Sequence, residues 1–123
     1  MSKLPMIARI LLGLIFFVFG LNGFLNFLPQ PPMPEAAGAF AGALAATGYM
    51  FPLIKGIEVL VGLMLLTNKF APLALIILAP ITVNIVLFHA VLAPAGLALP
   101  VIILLLHVYL ASTYKAAYKP LFT

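Results

Sequence analysis

A chain of 123 residues has room for one domain, and with 66% hydrophobic and only 7% charged residues it lacks the polar side chains to cover a soluble fold. The same balance, with a mean hydropathy of +1.31, excludes disorder, because disordered segments are polar. The net charge of +4 comes from scattered Lys and Arg that form no patch, which argues against nucleic acid, and the absence of Cys removes disulfides, thiol catalysis, thiolate-bound zinc and protein-ligated iron–sulfur clusters.

What remains is a membrane protein. The expected fold class is all-α: a four-transmembrane-helix bundle with a short extra helix in the first outer loop, making a single integral membrane domain over 1–123. A spanning helix takes about 20 mostly apolar residues, so four fit with short loops. The first apolar run, 5–28, starts at Pro5, where a helix has no N–H to lose. It stops at Pro29, Pro31, Pro32 and Pro34, which cannot continue a helix. The run is longer than a signal-peptide core, and the nearest small-x-small sequence, Ala37-Gly38-Ala39, lies beyond the prolines, so a retained helix is expected.

Pro34 and Glu35 resemble a helix start and Gly48 a stop, which predicts a helix over Glu35–Thr47 that is too short to span. Gly38 and Gly42, four apart, are expected to allow close packing. Further spans are expected over about 50–67, 70–92 and 96–114, with Pro80 kinking the third and a Thr hydroxyl or neighbouring helix satisfying the freed carbonyl. Four spans put both termini and the loop between the second and third spans on one side. That side holds Lys3, Arg9, Lys69, Lys115 and Lys119, so both termini are expected in the cytoplasm. Arg9, near that end, is expected to snorkel to the interface.

The polar residues inside the spans gather toward the other end. Asn22, Asn26, Lys55, Glu58, Asn84 and His89 all fall in the outer half of the bilayer at about 1.5 Å per residue. Lys55, Glu58 and Gly62 share one helical face, and so do Asn22 and Asn26, whereas His89 points away from Asn84 in a regular helix. Gly62 is expected to let another helix approach beside the charges. One reading is an outward-facing binding cavity with Glu58 as its ionisable centre. The plainer one is that Glu58 neutralises Lys55 while the asparagines join helices by hydrogen bonds.

His89 and His107 differ in depth by about eight residues, or about 12 Å of rise, which argues against a haem held between them. His107 reads as a hydrogen-bonded packing residue. No His, Asp or Glu pair has metal-ligand spacing, no covalently held cofactor is expected, and no nucleophile, phosphate-loop or dinucleotide signature identifies a catalytic residue.

Three segments carry a family resemblance: Arg9-x3-Gly13-Leu14-Ile15 with Phe19-Gly20-Leu21-Asn22-Gly23-Phe24, Glu58-x3-Gly62-Leu63-x-Leu65-Leu66, and Ala79-Pro80-Ile81-x-Val83-Asn84-Ile85-x-x-Phe88-His89. Together they resemble the DoxX family, over nearly the whole chain. Many members have a basic residue where this chain has Gly23. The resemblance implies a four-helix protein of the bacterial cytoplasmic membrane, and the family name derives from a subunit linked to thiosulfate:quinone oxidoreduction. Two functions are therefore expected to compete. One is a membrane subunit that binds a quinone or similar amphiphile and serves a redox partner. The other is a non-enzymatic carrier of lipid or small molecules, or a packing subunit of a membrane complex. A bundle this small leaves much surface for membrane lipid, another membrane protein or further copies of itself.

Overall fold

The computed structural model describes residues 3–29 and 32–123; Pro31 of the expected proline boundary lies outside them. The described residues are helical apart from short connections, with no strand among them. The helices are α1 (Lys3–Leu25), α2 (Glu35–Ala46), α3 (Met50–Leu66), α4 (Ala71–Leu87), α5 (Ala98–Ser112) and α6 (Lys115–Tyr118). A π turn (Phe88–Leu92) extends α4, and a single 3-10 turn (Pro94–Gly96) leads into α5.

Each long helix falls within a few residues of an expected span, with instructive differences. α1 ends at Leu25 rather than Leu28 because Asn26 takes the left-handed conformation (φ 54°). Its N–H bonds the Asn22 carbonyl at 2.9 Å, a C-terminal cap that Asn tolerates better than most residues. α4 runs through Pro80 without a break. Thr82 does not serve a freed carbonyl; its hydroxyl bonds His107 Nδ1 at 2.9 Å, while His107 Nε2 donates to the Leu75 carbonyl at 3.0 Å. This buried clasp joins α4 to α5 and uses both ring nitrogens, as expected of a packing histidine.

Lys3–Leu25 and Ala71–Leu92 are each long and apolar enough to cross a membrane. α3 has 17 residues and α5 has 15, and these reach span length only with their bent neighbours, α2 at 92° and the C-terminal segment at 77°. Length and composition thus allow two to four crossings. Large apolar side chains stand exposed on every long helix, among them Leu14, Leu60, Leu87 and Leu105. Such surfaces suit lipid rather than water and suggest a membrane-embedded protein.

The tightest seam joins α1 to α3, which run antiparallel. A Cβ added at Gly62 would lie 2.6 Å from the Phe17 nitrogen, and one at Gly13 would lie 2.9 Å from Leu65 Cβ. The close approach expected at Gly62 is present, and Gly13 and Gly20 repeat it from the opposite helix. Gly38 and Gly42 do not behave as expected: nothing lies within 4 Å of a Cβ at either, so they make no close packing. Around the seam, Leu12, Phe16, Val61, Leu65, Leu78 and Leu110 form the buried core.

Arg9 lies at the end of the bundle where α3 stops. Its guanidinium donates to the Leu65 and Leu66 carbonyls in the last turn of α3. Asn68 completes that end with φ 56°, its own N–H on the Leu65 carbonyl and the Lys69 N–H on the Met64 carbonyl. Tyr118 bonds the Pro72 carbonyl at 2.8 Å and brings α6 to the same end. Arg9, Lys69, Lys115 on α6 and Lys119 just after it therefore share one end of the bundle.

Candidate binding cavity

The opposite end contains a cavity of about 640 Å³, and Asn22, Asn26, Lys55, Glu58, Asn84 and His89 all line it. Its aromatic walls come from four elements: Phe16 and Phe19 on α1, Phe40 on α2, Phe51 on α3, and Phe88 in the π turn. Pro29, Pro32 and Pro34, from the link between α1 and α2, complete one side.

The charged centre is built by helix spacing. Lys55 Nζ lies 3.3 Å from Glu58 Oε1, three residues along α3. The Glu58 side chain is 5% exposed and that of Lys55 21%. The Lys55 ammonium also stands 5.5 Å from the centre of the Phe51 ring, on the same face of the helix. Two glycines of α1 make room for the pair. A Cβ at Gly20 would stand 3.0 Å from Glu58 Cβ, and one at Gly23 would overlap the Lys55 stem. Among the described residues, the other carboxylate oxygen, Oε2, has no hydrogen-bond partner, and no side-chain polar atom is both sealed off and unpaired. Glu58 Oε2 therefore faces the cavity.

Among the described residues, the asparagine side chains make no hydrogen bond from one helix to another. Asn22 Oδ1 accepts the Leu28 N–H at 2.7 Å, so its side chain pins the chain that leaves α1 while its amide N–H groups remain available. Asn26 supplies the left-handed cap. Asn84 lines the cavity but makes no hydrogen bond to Lys55 or Glu58.

His89 reaches the same cavity as Asn84, despite the regular-helix expectation that the two point apart. The helix changes from α to π over Phe88–Leu92, and the cavity is broad enough for Asn84 on α4 and His89 in the π turn both to line it. His89 Nδ1 donates to the Ile85 carbonyl at 2.8 Å, and Nε2 has no partner among the described residues. Its ring meets Phe88 edge to face, with centroids 5.1 Å apart. Gly96 keeps the ring edge clear: a Cβ there would lie 3.2 Å from His89 Cδ2.

α2 lies crosswise over this end and turns into α3 at Thr47, whose hydroxyl donates to the Leu44 carbonyl and accepts the Met50 N–H at 3.0 Å. Gly48, at φ 82°, makes the expected stop. Phe40, Ala41 and Leu44 present α2 to the cavity, and Phe40 stacks obliquely on Phe88 at 5.7 Å. Sequence reasoning passed over these residues. The signal for Phe51 was available, because 51, 55 and 58 share one helical face. For Phe40 there was none, since its role depends on the angle at Thr47. Among the described residues, no His, Asp or Glu cluster is arranged to hold a metal.

Comparison with family models, curated proteins and solved structures found no match to this chain.

Proposed function

We propose that this protein is a four-span membrane subunit that binds a ring-bearing amphiphile, of the quinone type, in the cavity at the Glu58 end and serves a redox partner. The observation that carries the reading is a mostly apolar, aromatic-walled cavity of about 640 Å³ with a few polar side chains and a largely buried ion pair at one wall. Ligand sites for small molecules pair an apolar lining with a few placed polar groups in this way. The resemblance to the DoxX family supports a quinone in particular. That family's basic residue after Gly-x-Asn is replaced here by Gly23, and the Lys55 stem lies against that glycine, so a cation reaches the same place from α3.

The proposed topology has α1, α3, α4 and α5 crossing, α2 lying on the outer surface and both termini in the cytoplasm of a bacterial cell. The basic residues at the Arg9 end support that orientation. A second reading, a packing subunit or lipid carrier, draws on a groove of about 230 Å³ between α1 and α5, lined by Leu4, Ile7, Leu11, Leu105 and Tyr109. Organic extraction of the purified protein distinguishes them. A quinone recovered from wild type and lost in Glu58→Gln supports the first, and recovery of phospholipid alone supports the second.

A further inference from the structure

The polar groups left open in the cavity point to the kind of head the ligand carries. This inference rests on the ring-binding reading above. Two acceptors belong to side chains that line the cavity: Glu58 Oε2, on a side chain only 5% exposed, and His89 Nε2. Neither has a partner among the described residues. His89 has its tautomer set by the Ile85 carbonyl, so its free nitrogen offers a lone pair and no proton. Glu58, ion-paired to Lys55 through Oε1, offers only lone pairs at Oε2. A ligand that shuts water away from these acceptors without supplying a donor leaves them unpaired at a cost, and a ring bearing only carbonyl oxygens supplies none. A ring bearing O–H groups does. The amide N–H groups of Asn22 and Asn84 remain to bind a second oxygen.

We infer that the cavity recognises a hydroxylated aromatic ring, a hydroquinone or phenol, in preference to the corresponding quinone, with Glu58 Oε2 and His89 Nε2 as the receivers of its O–H groups. The five phenylalanines on the walls supply the faces against which a flat ring packs.

Three probes test this on the purified full-length protein in detergent: a short-chain hydroquinone, its quinone, and its dimethyl ether, each titrated by calorimetry under argon. The hydroquinone is expected to bind about tenfold or more tightly than the other two, because both of those leave the acceptors unpaired. His89→Phe should reduce hydroquinone affinity by about tenfold, toward that of the ether. Glu58→Gln should do the same where it folds, and the wild-type comparison holds whether or not it does. Equal affinity for all three probes would overturn the hydroxyl preference and leave the ring-binding reading standing. Binding of none of them would overturn both.

Discussion

Gly20 of α1 lies directly against Glu58 of α3: a methyl group on Gly20 would stand 3.0 Å from Glu58 Cβ and 2.8 Å from the Val59 nitrogen. The buried carboxylate is thus seated by a residue with no side chain, on a helix far away in sequence. Helix packing and the polar site depend on the same contact.

Gly20→Val should therefore lower the thermal midpoint in detergent, by the equivalent of about 1–3 kcal/mol, since the clash is with backbone that cannot swing aside. Gly38→Ala and Gly42→Ala should act in the opposite direction. Both sit in α2 facing open space, and each exchange should gain up to about 1 kcal/mol of helix stability. Thermal unfolding of the three variants checks both signs. A tolerated Gly20→Val would mean that α1 and α3 are further apart than described.

Removing one member of the Lys55–Glu58 pair should cost more than removing both. Glu58→Gln leaves the Lys55 ammonium without its counter-ion beside a buried site, and loss of about 3 kcal/mol is expected when one partner of a buried pair is deleted. Adding Lys55→Met should recover most of it. The stability of the two single variants and the double variant gives the coupling directly, and additive effects would show that the two charges do not support each other.

The clasp between α4 and α5 is open to the same kind of test. Thr82→Val removes the donor to His107 Nδ1 while nearly preserving shape, and leaves a buried nitrogen unpaired. A loss of about 1–3 kcal/mol is expected, and Thr82→Ser should restore most of it. Neither Thr82 nor His107 lines the cavity, so binding of a cavity ligand by the folded Thr82→Val protein should be unchanged.

The proposed orientation predicts labelling by an impermeant thiol reagent in intact cells. The chain has no Cys of its own, so single replacements are clean reporters. Ala95→Cys, in the exposed turn before α5, should react from outside, and Thr123→Cys should react only after the membrane is opened. The reverse pattern would invert the bundle.

Much of this protein was legible before any coordinates. Apolar runs bounded by Pro, Gly and Asn determine where helices begin and end, since a backbone in an apolar setting must bond to itself. The gathering of Asn22, Asn26, Lys55, Glu58, Asn84 and His89 at one end follows from their distance along each helix, because rise per residue is nearly constant. Contacts across helices were not legible, because they depend on how each helix is rotated and how closely it approaches its neighbour. Sequence spacing grouped Gly38 with Gly42 as a packing face, and only the tertiary structure left them in open space while pressing Gly13 and Gly20 against α3. It also set Arg9 against the end of α3, used Asn22 and Asn26 to finish α1, and placed His89 on the same cavity as Asn84. In each case the local pattern permitted several partners, and the choice fell to groups far apart in the chain that each needed a contact or a hydrogen bond.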